Sequence, residues 1–97
     1  MEKTSYVYIL ASKPNGILYV GCTANLIKRV YEHKNAFVPS FTKKYDVKQL
    51  VYYEVHQDIR EALLRERQMK KWNRAWKVRL IQSQNPEWID LYPSILG

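Results

Sequence analysis

Cysteine is almost absent from this 97-residue chain. Cys22 stands alone, so no intramolecular disulfide can form, and the protein reads as one of a reducing compartment. No apolar run approaches the roughly 18 residues a membrane span needs. The stretch from Tyr6 to Ala11 is too short for a signal-peptide core and follows an acid, Glu2. A cytoplasmic protein with no membrane partner is expected. Glycine and proline are scarce, at three and four residues, and no linker, repeat or low-complexity tract divides the chain. One domain over residues 1–97 follows, burying roughly 65% of the surface its unfolded chain exposes. HExxH, CxxC, P-loop and GxSxG patterns are missing too, which removes zincins, zinc fingers, NTPases and serine hydrolases. Neither His33 nor His56 stands at a metal-ligand spacing from Cys22, and nothing near Cys22 argues for a lowered thiol pKa.

Acid is in short supply. Nine Asp and Glu face sixteen Lys and Arg, a net charge of +7 that favours polyanionic partners, nucleic acid first. Most of the excess lies between residues 60 and 79, where Arg60, Arg65, Arg67, Lys70, Lys71, Arg74, Lys77 and Arg79 meet only Glu61 and Glu66. A solvated helix face can explain such a run, but the weak opposing charge favours a phosphate-backbone footprint.

Two β-branched and aromatic runs, Tyr6 to Leu10 and Ile17 to Val20, flank turn chemistry at residues 12–16 and predict a hairpin. Alternation places Tyr6, Tyr8 and Leu10 on one face and Ile17, Tyr19 and Gly21 on one face, so Tyr8 and Tyr19 can share a side. Thr23 or Asn25 can cap a helix ending near Asn35, with Leu26, Ile27, Val30 and Tyr31 as its apolar stripe. Arg29 and His33, four apart, fall on the border of that stripe, and Lys28 and Glu32 point to solvent. Residues 36–48 read as a loop with one helical turn. Gln49 to His56 is a third strand. Asp58 and Glu61 form a capping box that opens a helix to about Trp72, and a further helix runs from Asn73 to about Ser83. Asn85-Pro86 ends it and can start a last turn. The order β-β-α-β-α-α predicts an α+β protein, its three strands in a small antiparallel sheet with helices packed on it.

Glu66 interrupts the apolar positions Ile59, Ala62, Leu63 and Met69. A buried carboxylate costs several kcal/mol unless it is paired or binds a cation. Two partners satisfy it: Lys70, one turn on, or a nearby Arg; and a divalent cation held by one carboxylate with waters and phosphate oxygens.

Taken in order, Tyr6-Val7-Tyr8, the hairpin, Tyr19-Val20-Gly21, Arg29 and Glu66 resemble the GIY-YIG nuclease domain. The likeness is strongest over residues 5–80, with 85–97 as a tail packing on the domain. Leu50 to Glu54, Lys70-Lys71-Trp72, Leu80-Ile81 and Asn85 to Trp88 make it similar to small stand-alone bacterial proteins of the UPF0213 type. The resemblance implies phosphodiester hydrolysis of DNA, possible structure selectivity, and one Mg2+ or Mn2+ ion. It implies Tyr8, Tyr19, Arg29 and His33 as catalytic residues and Glu66 as the metal ligand. Arg29 would clamp the scissile phosphate, and Tyr19, Tyr8 or His33 would orient or deprotonate the attacking water. The chain departs from the family pattern in having Tyr6 in place of a Gly, Cys22 in place of a Lys, and Asn73 only seven residues after Glu66. A monomer is expected, with a partner protein as one source of specificity. A nucleic-acid-binding module with little turnover, or a protein-interaction module with a basic face, are the competing readings.

Overall fold

A computed structural model describes residues 4–37 and 41–97. Residues 1–3 of the expected domain and 38–40 of the expected loop lie outside the described residues. The chain order is β1 (Ser5–Ala11), β2 (Leu18–Thr23), α1 (Leu26–Lys34), α2 (Phe41–Lys44), β3 (Gln49–His56), α3 (Ile59–Lys71), α4 (Arg74–Gln84) and α5 (Tyr92–Ile95). The expected three-stranded antiparallel sheet is present, in the order β2-β1-β3. The single helical turn expected within residues 36–48 is α2, and a last single-turn helix, α5, follows the Asn85-Pro86 break. No helix among the described residues is long and apolar enough to cross a membrane.

Central β1 is buried on both faces, so its alternation serves two cores. Tyr8 and Leu10 meet Leu26, Val30, Val47 and Leu50 on the α1 side. Val7, Ile9 and Ala11 meet Val20, Ala62, Met69 and Ile81 on the α3–α4 side. On β3, the register shifts so that Ile9 faces Tyr52 and Leu10 faces Leu50. This bulge leaves Val51 as an extra residue. Leu50 can therefore join the first core while Val51 and Tyr52 both join the second.

The caps behave as their residue types demand. Asn25 Oδ1 accepts the Lys28 N–H, Asp58 Oδ1 the Arg60 N–H and Asn73 Oδ1 the Trp76 N–H, each satisfying a donor the helix cannot. Thr23 braces the α1 cap from outside, its hydroxyl accepting from the Asn25 N–H and donating to the Asn25 carbonyl.

Three details of the helices correct the sequence reading. The buried face of α1 is Leu26, Val30 and His33, while Ile27 and Tyr31 are exposed. The helix is only nine residues long, and docking Leu26 and Val30 onto β1 turns His33 inward and Ile27 and Tyr31, some 100° away, outward. Glu32 is not free in solvent, because the Arg29 guanidinium pairs with it at 3.3 Å. On α3, Ala62 and Met69 are buried, but Ile59 and Leu63 stay partly open. Glu66 thus lies at the border of the apolar face and not at its centre.

Candidate active site

Tyr8 sits opposite Gly21 across the β1–β2 ladder. A Cβ at position 21 would lie 2.4 Å from the Tyr8 Cζ and Oη atoms. Only glycine lets this phenol lie across β2, and the residue does so without any unusual backbone angle. Tyr19, two residues before Gly21 and on the same face, brings its ring centroid to 6.4 Å from that of Tyr8. The inward turn of α1 then places His33 beside both rings, with centroids 6.0 Å from Tyr8 and 5.6 Å from Tyr19.

These contacts continue as a hydrogen-bond chain. The Tyr8 hydroxyl and His33 Nε2 are 3.2 Å apart, and His33 Nδ1 and Thr42 Oγ1 are 2.8 Å apart. A neutral imidazole donates at one nitrogen and accepts at the other, so either direction of donation along the chain is self-consistent. Burial, then the Arg29 charge, holds His33 below its ordinary value, which keeps the ring neutral near pH 7. Burial, then Tyr19, pushes the Tyr8 phenol well above its ordinary value, although Arg29 opposes the shift. Tyr8 consequently keeps its proton. Tyr19 is partly exposed, and it is the phenol of this pair that water can reach.

Arg29 stands at the border of α1, near enough to act on both Tyr8 and His33. It also lines a cleft of about 250 Å3 with Thr23, Asn25, Lys28 and Glu32. Glu66 enters from α3, past the β2 edge. Its charge acts on Tyr8 and on Cys22. Burial, followed by Glu66, raises the Cys22 thiol, which argues against a thiolate nucleophile there.

Glu66 Oε2 pairs with Lys70 Nζ at 3.1 Å, and the same ammonium lies 6.0 Å from the Tyr19 ring centroid. The Glu66 side chain is 16% exposed and that of Lys70 49%. Such an i,i+4 pair contributes only about 0.5 kcal/mol, weak enough for a divalent ion to displace the ammonium. Among the described residues no group of three or more His, Cys, Asp or Glu side chains could hold a metal ion. A magnesium-like ion needs no such cage, because one or two carboxylates, waters and substrate phosphate oxygens suffice. Glu66 fits that donor set as a single protein ligand.

The basic run divides. Arg65 turns inward, its Nε and terminal nitrogen donating to the two Glu54 oxygens at 2.9 and 3.3 Å, with Trp72 stacked 5.0 Å away. Arg60 pairs with its own cap, Asp58, and Arg74 donates to the Asn15 carbonyl at 2.8 Å. Lys70 joins Glu66. Arg67 and Lys71 are exposed on the flank of α3 next to Lys70, and Lys77 is half-buried. Thr42 and Gly21 are the neighbours that sequence reasoning left without a role. Gly21 was legible as lying on the Tyr8 face, but Thr42 lies in a stretch with no period and carried no signal.

Two phenols on adjacent strands, an arginine and histidine one turn apart, and a glutamate on a later helix make this a GIY-YIG domain by arrangement. The chain belongs to that family: the GIY-YIG catalytic-domain model matches residues 4–79. Within the family it is similar to UPF0213 proteins. One from Clostridium perfringens is 41% identical over 84% of this chain and 86% of its own. Another, from Syntrophus aciditrophicus, is 40% identical over 86% and 94%. The solution NMR structure of a UPF0213 protein from Bacillus halodurans shares the fold, with a TM-score of 0.56 over 90% of this chain and 92% of that one, at 24% identity.

Proposed function

We propose that this protein is a divalent-metal-dependent endonuclease that hydrolyses DNA phosphodiester bonds. The observation that carries the reading is the convergence of Tyr8, Tyr19, Arg29, His33 and Glu66 from four elements, β1, β2, α1 and α3, at the β2 edge. Membership of the GIY-YIG family supports it independently. Arg29 would hold the scissile phosphate and stabilise the charge that develops on it. Tyr19, the accessible phenol, would orient the attacking water, and in its phenolate form would take up the proton that the water loses. Tyr8 and neutral His33 would keep that phenol in place through the buried chain to Thr42. Glu66 would hold a magnesium or manganese ion, whose chemistry when bound is to offset charge on the departing oxygen. The exposed cations Arg67, Lys70 and Lys71 would track the phosphate backbone, with Lys77, Arg60 and Arg74 nearby and Arg65 kept inside the fold.

Thermal melts with and without manganese, beside a cleavage panel of nicked, flapped, branched and single-stranded DNA, test this reading. Manganese should raise the wild-type melting temperature, because it binds only the folded state. Glu66→Gln should abolish that rise and cleavage together, while the apo protein melts within a degree or two of wild type. A metal-induced rise that persists in Glu66→Gln would move the metal elsewhere. Binding without cleavage of any substrate would leave a nucleic-acid-binding module.

A further inference from the structure

Helix α2 has two faces with different work. Inward, the buried Thr42 meets His33 and pins the turn to the candidate site. Outward, Phe41 and Tyr45, the residue that follows the helix, remain 45% and 42% exposed. The Phe41 ring lies at 26° to the Tyr19 ring with centroids 6.4 Å apart, and Tyr45 follows at 4.8 Å from Phe41. Tyr19, Phe41 and Tyr45 thus form a row of rings that starts in the candidate site and ends in solvent.

Single exposed aromatic residues are ordinary on a protein surface. A contiguous row anchored to reacting groups is not, and the charge beside it is positive. Lys43 and Lys44 are exposed on the same turn, with Lys44 Nζ 5.3 Å from the Tyr45 ring centroid. Lys48 is already paired with Asp46 at 3.0 Å. Aromatic faces flanked by cations suit a base and its phosphates, since every base has a face to stack and every link a charge to neutralise. Bases within a duplex have both faces covered by their neighbours.

We propose that Phe41 and Tyr45 form a stacking platform for an unpaired base next to the scissile phosphate, with Lys43 and Lys44 on the adjoining phosphates. The inference rests on the reading of the site as one that acts on nucleic acid, and it adds the substrate class: strands with an unpaired nucleotide at the cleavage point.

The test measures affinity of the full chain, in EDTA, for a short thymidine oligonucleotide and for a blunt hairpin duplex. Phe41→Leu keeps an apolar side chain against Tyr19 and removes the stacking face. It should weaken single-strand binding about tenfold and leave duplex binding and the salt slope unchanged, because stacking releases no counterions. Phe41→Trp should restore the affinity, and Lys44→Gln should reduce the salt slope instead. Equal losses on both DNA forms, or no loss on either, would overturn the platform. With wild-type cleavage intact, that result leaves the nuclease reading standing. Wild-type protein that neither binds nor cleaves any DNA would sink both.

Discussion

Two clusters in this protein are built from the same four residue types and differ in what those residues do with their charges. On the α3 side of β3, Glu54 accepts hydrogen bonds from Tyr52 at 2.6 Å and Arg65 at 2.9 Å, and lies 2.7 Å from His56 Nε2. Burial works against its ionisation, but hydrogen bonds from Tyr52, Arg65 and His56 outweigh it and hold the carboxyl below the usual carboxylate range. At the β2 edge, Tyr8, Tyr19, Arg29, His33 and Glu66 share no such common acceptor among the described residues. Among the described residues Glu66 pairs with the solvent-facing Lys70, and Arg29 has Glu32 but remains about half open at a cleft. The first cluster consumes its polarity internally and clamps α3 to the sheet. In the second, polar groups remain available for a ligand. Residue types alone do not distinguish a brace from a reaction site; how completely each group is satisfied does.

The largest expected effect separates the two at once. Tyr19→Phe and Arg29→Ala should each slow single-turnover cleavage by about a hundredfold or more, with circular dichroism unchanged. Wild-type rates for either variant would dissolve the distinction from the site's side.

Glu54→Gln should do the reverse. Its side chain is 17% exposed, and replacing the carboxylate weakens its bonds to Arg65 and His56, so stability should fall by about 2–3 kcal/mol while cleavage well below the melt stays near wild type. The pH dependence has a definite sign. A carboxyl held low in the fold contributes fully above its ordinary value of about 4.3 and loses that contribution as pH falls below it. Denaturant melts from neutral pH into acid should show that decline in wild type and a shallower one in Glu54→Gln. A variant as stable as wild type would mean the network is no clamp.

The smallest effect sharpens the comparison from inside the site. His33 is held below its ordinary value of about 6.5, so the unfolded chain takes up the proton first, and stability is full above that pH and declines as pH falls below it. His33→Gln should flatten the decline between pH 6.5 and the carboxylate range. An unaltered slope would assign it to other groups.

Much of the fold was legible because its signals are local. Turn chemistry at 12–16, alternation in the strands and the Asp58 cap act over a few residues, and the choice left between Thr23 and Asn25 falls to Asn25. The third strand, Gln49 to His56, is found at the bounds its composition predicts. What escaped involved partners far apart in sequence. The pattern at 26, 27, 30 and 31 is one helical stripe, and the choice of Leu26, Val30 and His33 as the inward face came from how α1 docks on β1. Arg65 reads as one more cation of a basic run until Glu54, eleven residues earlier on another element, takes its guanidinium.

By itself the sequence determined the α+β class, the three-stranded sheet, the helix starts, the side shared by Tyr8 and Tyr19, and the oddity of Glu66. Each depends on period, propensity or a capping side chain, which are properties of short segments. Tertiary structure alone decided that His33 is buried between Tyr8 and Thr42, that Gly21 yields its space to a phenol, and that Phe41 continues the row begun by Tyr19. Burial and charge satisfaction depend on which surfaces meet, and no local pattern along the chain encodes that meeting.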